Sequence, residues 1–260
     1  MSQASKSSSQ HSGHRSWIFL RGLGRNSDHW GPFLEIFKKQ FPEDEIELLD
    51  LRGNGTLAHS PSYLDIKNNV RDLRARSKFV QEGREINLLS ISMGAMVAVA
   101  WAHEYGDEVD ELVLINTSER GTSKFWQRLQ PKTYPRLAKI LASGKTSEEI
   151  EFEILKMTSH LALADKKKWA QVFQNSPSTT RTNFMKQVIA ASLYEFPRHK
   201  PKTDVLILNS AKDDLVSSSC SQNIADLWHL KIQTHPTAGH DLPLDAPEWI
   251  CNEITRWQQA

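Results

Sequence analysis

Six apolar runs of five to seven residues, separated by helical patterns, constrain the fold of this chain more than any other feature. They are SWIFL (16–20), EIELLDL (45–51), EINLLS (85–90), DELVLIN (110–116), TDVLILN (203–209) and LKIQTH (230–235). The runs are near-continuous rather than alternating, as strands buried on both faces are. Helical patterns lie between them at 28–41, 62–80, 94–105, 218–228 and 247–258. Strand and helix in alternation predict an α/β fold: a parallel sheet with right-handed crossovers and helices on both faces. The alternation breaks between 121 and 200. There three stretches carry helical periodicity, interrupted at Pro131, Pro135, Gly144 and Pro177. The organisation expected is a tail over 1–15, a core over 16–120 and 201–260, and a helical cap inserted over 121–200.

The composition of the 260 residues, 39% apolar and 24% charged, supplies a sizeable core. A formal net charge of +1 gives no electrostatic case for a nucleic-acid or membrane partner. No apolar run approaches the roughly 18 to 20 residues that a membrane span requires. The serine-rich tail lacks the apolar segment of a secretory signal and reads as disordered. His11 and His14 form H-x-x-H there, but two histidines on a polar tail do not make a metal site, and no cofactor is expected. Cys220 and Cys251 are too few for a disulfide framework. Inert thiols and a reducing, cytoplasmic setting are the expectation.

In an open parallel sheet, function collects at the carboxyl ends of the strands. Four of these ends carry residues of interest. RGLG (21–24) follows the first strand, and Ser92 follows the third within LLSISMGAM (88–96). SAKDDLV (210–216) follows the fifth strand and AGHDLP (238–243) the last. A serine ringed by small residues, between an apolar run and a helix-forming one, marks a strand that turns sharply into a helix. Serine, aspartate and histidine then occur in the chain order of enzymes built on such a nucleophile elbow.

On these residues the chain, from about 16 to 258, resembles the α/β-hydrolase family. The family's G-x-S-x-G is represented by Ser90-Ile91-Ser92-Met93-Gly94, with serine at the first small position. Its H-G-x-G loop is represented by Arg21-Gly22-Leu23-Gly24. Arginine in place of histidine is expected to hold a neighbouring loop, the alternative being to favour an anionic substrate. The resemblance implies Ser92 as nucleophile, His240 as base, and the amides of Leu23 and Met93 as the oxyanion hole. It also implies an acid in a G-x-x-D-x-x-V register. Ser210, Asp213 and Val216 fit that register, Asp214 misses it by one, and Glu119 after the fourth strand is the remaining alternative. The activity implied is that of a cofactor-independent serine hydrolase acting on a small-molecule carboxylic ester. A thioesterase, lactonase or C–C hydrolase would use the same residues, and a non-catalytic ligand-binding protein would keep the same pocket. Trp126 and Phe184 in the insertion are candidates for lining an acyl pocket, with packing as the ordinary role of such aromatics. Asn26, Ser27 and Asp28 read as helix caps. His29, His103, His160 and His229 read as surface or core residues of helices.

Overall fold

Side chains in a strand point alternately to the two faces of a sheet, so a continuous apolar run supplies two cores at once. The computed structural model describes residues 14–141 and 145–260, so most of the 1–15 tail, with His11, and the breaker Gly144 lie outside the described residues. The strands are β1 (Ser16–Leu20), β2 (Glu45–Leu49), β3 (Ile86–Ile91), β4 (Val109–Ile115), β5 (Asp204–Ser210) and β6 (Ile232–His235). They pair in parallel throughout, in the order β2-β1-β3-β4-β5-β6. Ile18, Leu20, Leu88, Leu112 and Ile207 face one core, shared with helices Ile66–Arg76, Met93–Glu104 and Ser219–Trp228. Their neighbours Trp17, Phe19, Leu89, Val113 and Leu208 face the other, under helices Phe33–Gln40 and Pro247–Gln258.

Helix Met93–Glu104 buries ten of its twelve residues, which explains why it is apolar on all sides. The edge strands differ from the inner ones. β2 carries Glu45 and Glu47, and β6 reads IQTH with no fully buried residue. Polar edges leave the unpaired backbone solvated and discourage a further strand.

Between β4 and β5 lie helices Phe125–Arg128, Tyr134–Leu141, Ser147–Thr158, Leu163–Phe173 and Arg181–Leu193. Thr146 caps the third of these, accepting from the Glu149 amide at 3.2 Å, while the Glu149 carboxylate accepts from the Thr146 amide at 2.8 Å. The inserted helices sit on loops at the carboxyl ends of the strands. Asn183 Oδ1 accepts from the Ser62 amide at 2.9 Å, and its Nδ2 donates to the Ala58 and Ser60 carbonyls at 3.0 Å. Gln187 Oε1 accepts from the Gly24 amide at 2.9 Å. On the other side, the Thr158 carbonyl accepts from the Asp241 amide at 2.6 Å. Among the described residues, no helix is long and apolar enough to cross a membrane.

Candidate active site

β3 ends at Ile91 and a helix begins at Met93, leaving Ser92 alone to turn the chain. It does so at φ 58, ψ −120, a conformation that side chains rarely adopt. The turn depends on absent atoms next door. A Cβ at Gly94 would lie 2.5 Å from the Leu20 carbonyl oxygen and 2.6 Å from that of Arg21. A Cβ at Gly22 would lie 3.0 Å from Ser92 Cβ, which places the RGLG loop directly against the serine. Ser90 tolerates its position because its fully buried hydroxyl donates to the Val113 carbonyl at 3.1 Å. Ser92 itself is half-buried.

His240, after β6, lies against the loop that follows β5. Its Nδ1 is 2.6 Å from Asp213 Oδ2, and both side chains are buried. Asp213 Oδ1 accepts from the amides of Leu215 and Val216 at 2.8 and 2.9 Å, so the loop backbone fixes the carboxylate. A carboxylate can only accept in this contact, so Nδ1 carries the hydrogen. Asp214 points elsewhere: it pairs with Lys132 and lies 3.4 Å from His160 Nε2. Glu119 is buried after β4, where it accepts from the amides of Gly121 and Phe196 rather than from His240. Leu23 is half-buried and Met93 buried. Among the described residues, neither amide reaches a protein acceptor.

Arg21 occupies the histidine position of the loop motif, and its partner is Asp241. Nη1 and Nη2 donate to the two carboxylate oxygens at 3.0 and 2.7 Å, with both side chains buried. Burial alone would raise the Asp241 carboxyl, but the Arg21 charge and hydrogen bonds outweigh it and hold it below its ordinary range. The guanidinium thus ties the β1 loop to the residue that follows His240. The sequence motifs do not single out Asn116. At φ 46 after β4, it donates to the His240 carbonyl at 2.8 Å and to Ser210 Oγ at 3.0 Å. The available signal was an asparagine, tolerant of positive φ, directly after an apolar strand.

The candidate acyl-pocket residues separate. Phe184 approaches the RGLG loop: a Cβ at Gly24 would lie 3.3 Å from its ring. Trp126 is 55% exposed, with the Lys124 ammonium 5.3 Å from its ring centre. His160 lies beyond the end of its helix, 2.8 Å from the Lys212 carbonyl. Cys220 and Cys251 are buried, and burial pushes their thiols up to about 11 and about 12, which suits inert side chains. A cleft of about 400 Å³ lies at the far end of helix Met93–Glu104 from Ser92, between Ala102–Glu108 and His199–Lys202.

A parallel sheet with a strained serine elbow after its third strand defines a hydrolase class, and sequence comparison agrees. The chain belongs to the alpha/beta hydrolase family, whose model matches residues 17–253. No match was found among curated proteins. Solved structures of the same fold include an enol-lactonase from Burkholderia xenovorans, 16% identical, with 96% of this chain and 94% of that one covered at a TM-score of 0.75. A meta-cleavage product hydrolase from Pseudomonas fluorescens is 14% identical, covering 95% and 92% at 0.73. A thermophilic esterase from Thermogutta terrifontis is 19% identical, covering 95% and 90% at 0.67.

Proposed function

We propose that the protein is a serine hydrolase that cleaves a carboxylic ester of a small or medium acyl group through an acyl-enzyme. The observation that carries the reading is the buried His240–Asp213 pair at 2.6 Å, in loops at the same carboxyl edge of the sheet as a serine held at φ 58. Ser92 Oγ attacks the ester carbon while His240 Nε2 takes its proton. The amides of Leu23 and Met93 hold the oxyanion. As the tetrahedral intermediate collapses, the C–O bond breaks and His240 gives the proton to the departing alkoxide. Water, deprotonated by the same imidazole, then releases the acid and restores Ser92. Asp213 keeps Nδ1 protonated and steadies the charged ring. Residues 121–200 act as a cap, with Phe184 facing the acyl group from beside Gly24.

A lactonase or C–C hydrolase reading shares these residues, and an enol-lactonase and a meta-cleavage product hydrolase are among the solved structures of this fold. Fluorophosphonate labelling of the full chain tests the shared mechanism. Wild type is expected to label and Ser92→Ala to lose both labelling and turnover; equal turnover in a folded Ser92→Ala variant would overturn it. A panel of aryl esters, lactones and vinylogous 1,5-diketones then separates the substrate classes.

A further inference from the structure

Net charge averages over a surface that is far from uniform. Residues 120–146 contain seven basic residues, from Arg120 to Lys145, and no acidic one, in a chain whose formal net charge is +1. Two of these cations meet carboxylates, Arg120 with Glu195 and Lys132 with Asp214. Lys124, Arg136 and Lys139 are exposed, and no carboxylate lies within salt-bridge distance of them among the described residues. Burial lowers the neighbouring Lys166 ammonium, against the Asp245 and Asp214 carboxylates that raise it; the charges of Arg136 and Lys156 act with burial, so other cations lie near Lys166 as well.

Apolar exposure is concentrated on the same insertion. Of nine large hydrophobic side chains exposed among the described residues, eight lie between 125 and 193. Met185, Ile189 and Leu193 recur every fourth residue on helix Arg181–Leu193 and form one exposed stripe, 42% to 60% exposed. Arg128 joins the end of that stripe to helix Phe125–Arg128, donating to the Ser192 carbonyl at 3.1 Å and to that of Ala191 at 2.5 Å. Phe125 and Trp126 there are each 55% exposed, with Lys124 beside them.

We infer that this outer face of the insertion docks onto an anionic lipid bilayer. Exposed tryptophan and phenylalanine beside Lys124, with exposed aliphatic groups and the further exposed cations Arg136 and Lys139 on the same insertion, match an interface of negative headgroups over acyl chains. A nucleic-acid backbone would satisfy the cations but leave the Met185–Leu193 stripe in water. A second copy of the chain would set the exposed Lys124, Arg136 and Lys139 against the same cations across a two-fold axis. The inference is independent of the hydrolase reading, because docking is measured without turnover.

The test is flotation of the full chain with vesicles of phosphatidylcholine, with and without phosphatidylserine, at low and high salt. A duplex oligonucleotide serves as the competing polyanion. Flotation is expected only with phosphatidylserine and is expected to weaken with salt. A cation near such a surface contributes roughly fivefold in partitioning, so Arg136→Glu with Lys139→Glu is expected to reduce it at least about 25-fold. Arg136 Nη1 also donates to the Lys156 carbonyl at 2.9 Å, so flotation is compared at a temperature where the double variant is fully folded. Met185→Ser with Leu193→Ser should also reduce flotation, whereas salt-sensitive binding without an apolar contribution would not change. Absence of flotation with phosphatidylserine at low salt would overturn the inference. So would equal flotation on both vesicles, insensitivity to either double variant, or binding to the oligonucleotide alone.

Discussion

Asp213 and Asp214 are adjacent and chemically alike, but their surroundings differ completely. The first is buried and bound by two loop amides and His240; the second lies at the surface with Lys132. Under the proposed mechanism, Asp213→Asn is expected to lower kcat by about three to four orders of magnitude with the fold intact, because the imidazole loses its orienting acceptor. Asp214→Asn should leave kcat nearly unchanged. Steady-state kinetics on one ester decides, and a reversed order would break the assignment. A second prediction concerns His29. Its Nδ1 accepts from the Asn26 amide at 3.0 Å, and burial followed by the Arg25 charge lowers it to about 4. The unfolded chain protonates His29 near its ordinary value of 6.5, so stability is full above that pH and falls as pH drops towards about 4. Burial raises Glu151, but Arg25 and His29 outweigh it and hold it at about 2, so its contribution is lost in the same direction, below 4.5. The His29 loss is on the order of 2–3 kcal/mol. Melting temperature between pH 6.5 and 4 should fall less steeply in His29→Gln, which takes up no proton. At this scale the anchors at Ser210 and Val216 singled out Asp213, and Asp213 is the carboxylate found 2.6 Å from His240; its role as the catalytic acid is what the Asp213→Asn kinetics test. It could not reveal that Arg21 meets Asp241, because no local pattern encodes a partner 220 residues away.

Strands were legible because double-sided burial leaves a continuous apolar run, and five of the six differ from their sequence bounds by only one or two residues at either end. The discrepancies follow from strand ends being set by pairing partners rather than by hydrophobicity. Half-burial of β2 and β6 was less legible, since edge position depends on sheet order. The turn between β3 and the next helix illustrates how an element boundary depends on a missing side chain. Its small residues pointed to an elbow, but only the packing distinguishes the two flanking positions. Gly94 admits no Cβ because two backbone oxygens stand within 2.6 Å, and backbone cannot move aside as a side chain can. Ser90 is accommodated through its bond to Val113. Gly94→Ala is therefore expected to destabilise by about 1–3 kcal/mol or more and to disturb the elbow, whereas Ser90→Gly should remain folded and labelled by fluorophosphonate. Urea unfolding together with labelling checks both. An alanine variant with wild-type stability and labelling would show that helix and strand are further apart than described.

The helical character of 121–200 was readable from periodicity, but the surface on which the segment rests was not, because its anchors are single polar side chains in otherwise ordinary helices. Asn183 and Gln187 hold one end against the loops after β1 and β2. Glu151 holds another part: its Oε2 accepts from Arg25 Nη1 at 2.5 Å, with side chains only 9% and 12% exposed. Arg25 stands two residues after Leu23, and its amide closes the turn onto the Gly22 carbonyl at 3.2 Å. The insertion is thereby joined through one buried ion pair to the loop that carries the proposed oxyanion donor. Removing one partner of such a pair leaves a charge without solvent or counter-charge, which costs about 3–5 kcal/mol. Replacing both partners with apolar groups of similar volume is often neutral or stabilising. Glu151→Met is therefore expected to lower the unfolding midpoint strongly, and Arg25→Met with Glu151→Met to recover most of the loss. Kinetics of the double variant, at a temperature where it is fully folded, then asks what the link does for the loop. If the ion pair aligns the Leu23 amide, kcat should fall while KM for a neutral ester stays near its wild-type value. If the pair only fastens the insertion, the repacked variant should recover kcat along with stability.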